Sequence, residues 1–211
     1  MMEHGTRLPV FRDAHVHLGL IDPTNLRAHG IGAVVDLGWA PSIVDLARQA
    51  PVDVAFAGAF LTARGGYPGD RGWAPEGSVI EVDRGSAADA VAAQVAMGAV
   101  VIKVSLNSAA GPLLDLDTVL AITAAAADAG VAVVSHVEGE GAFETALAAG
   151  VDILAHTPWT ARLSERQIRD SAQRQSWIST LDIHGYGTPT LAQKVAVENA
   201  ARFHAAGGRL F

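Results

Sequence analysis

Two histidines two residues apart, His15 and His17, sit in the segment PVFRDAHVHLG. On a β-strand that spacing puts both imidazoles on one side. Two imidazoles at the end of a buried strand are costly unless they are paired or ligated. The neutral ring is a ligand for zinc, iron and nickel. An HxH pair alone also fits two hydrogen-bonded structural histidines. Two more histidines, His136 and His156, each follow a glycine by the same interval, in GVAVVSH and GVDILAH. Lys103 ends the parallel segment GAVVIK, and Asp36 ends GIGAVVD. A lysine inside an apolar strand needs a partner or a task. One reading is an ion pair with an acid such as Asp36. The other is an amine whose pKa burial has lowered, able to take up carbon dioxide as a carbamate.

These residues need elements that bring them together, and the repeated interval describes such elements. A helix ends in a glycine, a short apolar strand follows, and a polar residue stands where the strand leaves the core. The strands are expected near 9–16, 31–38, 52–60, 99–106, 131–137, 151–157 and 177–183, with an eighth beginning at Gly208. Helices between them are marked by Ser86 before an alanine-rich run to Met97, by Asp115 or Asp117, and by the capping box Ser164 to Gln167. Thr188 before Pro189 marks another. Residues 61–78, LTARGGYPGDRGWAPEGS, read as a long functional loop. Alternating strands and helices predict a parallel α/β fold, and eight such units close a (β/α)8 TIM-like barrel with its site at the C-terminal strand ends. An open doubly wound sheet is the alternative. No GxGxxG follows the first strand, which weakens a dinucleotide-binding reading.

Composition fits one domain over residues 1–211, half of them hydrophobic. A net charge of −7 disfavours nucleic acid and anionic membranes as partners. There is no cysteine, so thiolate zinc sites and disulfides are excluded and a metal needs nitrogen and oxygen ligands. Residues 1–8 lack the apolar stretch of a signal peptide, and no apolar run approaches a bilayer span. A cytoplasmic protein acting on a small molecule is expected, with homo-oligomerisation compatible.

HVH on the first strand, lysine on the fourth and histidines on the fifth and sixth resemble the amidohydrolase superfamily, in its imidazolonepropionase-like and prolidase-like branch. AMGAVVIKVS and GVDILAHTPWT followed by TARLSERQI are similar to that family as well. The resemblance implies one or two divalent metal ions, zinc first, with manganese, iron or nickel compatible. It implies that His15 and His17 bind one ion, His136 and His156 the other, and carboxylated Lys103 bridges them. A metal-bound hydroxide would then attack an amide, lactam or related C–N bond. A metal-assisted lyase or decarboxylase is a further possibility on the same scaffold.

The family also places an aspartate, ligand and general base, at the end of strand eight. Here that position is expected beyond Phe211, so the barrel is expected to be truncated at its eighth strand. Asp182 is a weak substitute. The alternative function is therefore a catalytically incomplete barrel fragment that binds metal or ligand without turnover. Trp39, Arg64, Tyr67, Trp159, His184 and Tyr186 are expected on loops at the mouth. Arg64, Tyr67 and His184 are candidates for holding a small, carboxylate-bearing substrate. Glu138 and Glu140 are candidates for orienting His136. His4, His29 and His204 are assigned no role.

Overall fold

The structure is a computed structural model that describes residues 8–211. His4 lies outside the described residues. In chain order the regular elements are β1 (Phe11–Val16), β2 (Ile31–Asp36), α1 (Ile43–Gln49), β3 (Asp53–Phe56), β4 (Phe60–Thr62), β5 (Val79–Glu81) and α2 (Ala87–Met97). There follow β6 (Val101–Asn107), α3 (Leu116–Asp128), β7 (Ala132–Glu138), α4 (Ala142–Ala148), β8 (Ile153–Leu154), α5 (Glu165–Arg174), β9 (Ser176–Trp177), α6 (Leu191–Ala205) and β10 (Arg209–Leu210).

Every strand pair is parallel. The strands form a three-stranded sheet, β1-β2-β3, and a seven-stranded sheet, β10-β9-β8-β7-β6-β4-β5. Apart from the β5 edge the order follows the chain, without the reversal that marks a doubly wound sheet. A backbone bond of 3.0 Å from Val100 N to Phe56 O ties the two sheets together. Both sheets also share an inner apolar layer. Leu37, Val134, Ala155 and Ile178 form it, with Ala14, Val35, Val101 and Ile153 packed against them. The expected barrel is thus met in strand order and inward packing but not in closure. Among the described residues no ladder joins β10 to β1, and β10 is only two residues long.

Strand alternation sorts the side chains. On β6, Ile102, Val104 and Leu106 join the core covered by the helices. Lys103, Ser105 and Asn107 therefore face the interior. The helices contribute Val91, Val119, Ile122, Ile168 and Phe203 to that outer core, where Trp177 and Phe203 stack with centroids 3.8 Å apart. Burying a side chain of this size stabilises the fold by roughly 2–3 kcal/mol.

The strand starts follow one device. Gly30, Gly98, Gly130 and Gly150 all have φ between 71° and 106°, the left-handed turn that sends each chain from helix to strand. The third expected strand differs. It breaks at Ala57–Ala59, with Gly58 at φ 77°, so residues 52–60 do not form one strand. The long loop that follows returns as β5, paired to β4. Asp115 caps α3 through Thr118 N at 2.7 Å, and Ser164 with Gln167 forms the capping box of α5. The last helix is capped by Thr190, not Thr188, because its hydroxyl is the one that meets the free N–H of Gln193. No helix among the described residues is long and apolar enough to cross a membrane.

Candidate metal centre

The C-terminal ends of β1, β6, β7 and β8 surround one cavity of about 560 Å³. His15, His17, Lys103, His136 and His156 all line it. The ring centroids of His15 and His156 are 4.6 Å apart, those of His15 and His17 5.2 Å, and those of His136 and His156 5.1 Å. Three strands distant in sequence thus deliver imidazoles to one point, and a fourth delivers an amine.

Each imidazole is anchored through one nitrogen. His15 Nδ1 is 2.8 Å from Ala155 O, and His17 Nδ1 is 3.0 Å from Gly38 O. A nitrogen facing a carbonyl must donate its proton, which leaves Nε2 with a free lone pair. His136 is held the other way round, through Nε2, 3.1 Å from Glu138 Oε2. That leaves Nδ1 as its basic atom. His156 Nδ1 lies 2.8 Å from Thr180 Oγ1. Glu138 is itself fixed by the amide of Asn107 at 2.7 Å, whose carbonyl accepts from Ala109 N. Outer partners of this kind set the tautomer and aim of metal-ligating histidines.

Burial governs the electrostatics. Desolvation lowers the pKa of all four histidines, that of His17 to about 4, and the nearby Lys103 adds to the effect. The rings are therefore neutral at pH 7, the form that ligates. Lys103 is 1% exposed, and burial pulls its pKa down to about 7, against the opposing pull of Asp36. No carboxylate stands within ion-pair distance of Lys103 among the described residues. The ion pair with Asp36 is thus not formed. Asp36 instead accepts from Leu18 N at 2.6 Å and Gly38 N at 2.9 Å, joining the turns that follow β1 and β2. No group of three His, Cys, Asp or Glu side chains among the described residues is arranged to hold an ion unaided.

The remaining candidates divide. Tyr67 and His184 line the cavity, Tyr67 stacked on His136 at 5.1 Å and His184 on Trp159 at 4.3 Å. Arg64 does not line it. It borders a separate small cavity with Glu81, Val82, Asp83 and Ser86. Asp182 is also outside the lining, and its carboxylate accepts from Gly187 N in the turn after β9. Trp39 is buried beside α1, and Glu140 borders a neighbouring cavity. His29 and His204 lie away from the cavity. Sequence reasoning missed Trp73, Asn107 and Thr180. Asn107 was within reach, since it lies four residues beyond Lys103 on one strand and so shares its face. Trp73 lies in the long loop but carries no distinguishing signal there.

No family model matches the chain, and no curated protein matches it. Solved structures do. Over 96% of this chain it is similar to an amidohydrolase (TM-score 0.75, 18% identity) and to the ochratoxinase of A. niger (0.72, 17%). It is also similar over 96% to a Xaa-Pro dipeptidase with methionine bound in its active site (0.67, 17%). The fold is that of the amidohydrolases. The chain spans 62–64% of the length of these three structures.

Proposed function

We propose that this chain carries the metal centre of a metal-dependent amidohydrolase that cleaves an amide, lactam or related C–N bond of a small molecule. One observation carries the reading: four imidazoles, each with one nitrogen held by a neighbour, line a single cavity beside a buried lysine. The fold shared with an amidohydrolase and a dipeptidase supports it.

The residues present fit a pair of divalent ions. His15 and His17 would hold one and His136 and His156 the other, with zinc first and manganese, iron or nickel compatible. Two imidazoles per ion leave each short of ligands. Lys103 would supply the shared oxygen ligand. Its neutral amine attacks carbon dioxide, a C–N bond forms, and one proton leaves as the carbamate anion appears. Bound ions would supply Lewis acidity toward the substrate carbonyl and an activated water. The chain itself orients the imidazoles and keeps them neutral. Tyr67 and Trp159 wall the space above them. We place the protein in the cytoplasm, acting on a small molecule, with neither nucleic acid nor membrane as partner.

A second reading is ligand binding without turnover. Among the described residues Glu138 is the only carboxylate that lines the cavity, and His136 and Asn107 already engage it. That leaves no carboxylate free to act as base among the described lining residues.

Metal analysis and a panel of amides and lactams with added zinc or manganese test the proposal. Bound metal and hydrolysis, both lost in His15→Ala and His136→Ala, are expected. If those substitutions leave metal content and hydrolysis unchanged, the assignment fails. Metal uptake without hydrolysis of any substrate selects the second reading.

A further inference from the structure

The cavity has two chemically distinct zones. Its floor is the histidine cluster with Lys103. Its upper walls are Leu20, Tyr67, Trp73, Trp159, Ile183 and Tyr186. The aromatic rings border the histidine rings. Trp73 lies 5.5 Å from the His17 ring and 6.2 Å from Tyr67, while Trp159 lies 5.7 Å from His136 and 5.5 Å from His156. Leu20 and Ile183 stay 52% and 48% exposed at the rim, apolar surface that a bound molecule would cover.

The charges around these walls point the same way. Among the described residues that line the cavity, Lys103 is the only Lys or Arg, and it belongs to the floor. Arg64 sits in another cavity, and Arg71 is paired with Asp70 at 3.2 Å and lies over the Tyr67 ring at 5.6 Å. The one carboxylate among these lining residues, Glu138, lies 2.7 Å from the Asn107 amide and 3.1 Å from His136 Nε2. A substrate carboxylate entering between these walls would lose water, find no Lys or Arg side chain to pair with and meet the Glu138 carboxylate. A flat apolar group would find the Trp73 and Trp159 rings to pack against.

We propose that the cavity receives a neutral, planar apolar group, an aryl amide or aryl carbamate end of the substrate, and rejects substrates that carry a carboxylate there. This rests on the hydrolase reading for the position of the scissile bond, though not for the binding preference itself.

Equilibrium dialysis against a matched pair of probes tests it: acetanilide and 4-acetamidobenzoate, which differ only by a carboxylate. Acetanilide is expected to bind at least about tenfold more tightly. Trp73→Ala and Trp159→Ala should each weaken acetanilide by about 2- to 10-fold, while Trp73→Phe and Trp159→Phe, which keep an aromatic plane, should retain most of it. Equal or tighter binding of 4-acetamidobenzoate overturns the proposal, as does the absence of saturable acetanilide binding. The preference for acetanilide without hydrolysis under any added metal upholds this proposal and removes the hydrolase reading. Hydrolysis of carboxylate-bearing amides with no aryl preference does the reverse.

Discussion

The hydroxyl of Thr180 lies 2.8 Å from Nδ1 of His156, and Thr180 holds it there from φ 36° and ψ 35°. A β-branched residue rarely adopts that left-handed conformation. The backbone is kept in place by two bonds of the preceding Ser179. Ser179 N donates to Phe211 O, and Ser179 O accepts from Thr157 Oγ1. The segment after β9 thereby aims the imidazole that follows β8.

Thr180→Gly separates strain from positioning. Glycine relaxes the left-handed backbone, a gain of about 1 kcal/mol that offsets part of the lost hydrogen bond. Folding stability should change little. Zinc affinity should fall by about 10- to 100-fold, because His156 loses the partner that holds its aim. Thr180→Ser, which keeps the hydroxyl, should retain affinity. A competition titration with a chelator reads both, and unchanged affinity in Thr180→Gly would show that the contact is incidental.

Lys103 makes the metal-free protein sensitive to pH on the alkaline side. Its pKa falls from 10.5 to about 7 on folding. Between those values the unfolded chain holds a proton that the folded chain has released. Stability therefore rises with pH through that window, and the cost of burying the lysine is fully present below pH 7. Lys103→Met should abolish this slope and stabilise the metal-free protein at pH 7 by on the order of a few kcal/mol. Urea denaturation of metal-free protein across the window checks it. An unchanged slope in the variant would assign the effect to another group.

The sequence carried the strand order and the histidine cluster but not the supports or the strand lengths, since residues 52–60 break into two strands and the strand expected at 177–183 stops at Trp177. His15, His17, Lys103, His136 and His156 were legible because each stands at a fixed interval from a glycine or a neighbour, and those intervals are geometric. Asn107 shares the face of Lys103 four residues on but follows no glycine at the common interval, and Thr180 follows no interval at all. Thr180 depends on a left-handed turn at a threonine, which residue type argues against. Arg64 was misplaced toward the mouth because the loop after β4 turns back to form β5, a strand of three residues too short to announce itself. The shortness of β8, β9 and β10 was equally hidden, since apolar runs such as VDILA give no sign of where the ladder stops.

On the acid side the histidines dominate. His17 has its pKa lowered from 6.5 to about 4, chiefly by burial and then by Lys103. Between those values the unfolded chain binds the extra proton, so stability is lost as pH falls from 6.5 toward 4. The other three histidines shift in the same direction. His17→Gln should remove about one proton from the slope of stability against pH, roughly 1.4 kcal/mol per pH unit. Denaturation midpoints of the metal-free protein at several acidic pH values give that slope directly. A slope as steep as that of the parent would mean that His17 is not buried neutral.

Gly38 joins the core to the site, and its replacement tests whether the two are coupled. Its carbonyl anchors His17, and its φ is 142°. A Cβ there would stand 2.2 Å from the buried Phe60 ring, which packs 5.5 Å from the ring of His17. Gly38→Ala should cost about 1–3 kcal/mol through overpacking, beyond the backbone penalty, and should weaken zinc binding by displacing His17. Gly207→Ala is the control. Gly207 has φ 86°, but a methyl placed on it would meet nothing within 4 Å, so it bears the backbone penalty alone, about 1 kcal/mol, with zinc affinity intact. Adding Phe60→Leu to Gly38→Ala removes the ring that the methyl strikes. If that double variant regains both stability and zinc affinity, the clash with Phe60 is what transmits the damage to His17. If it regains stability alone, the anchor depends on the glycine backbone itself.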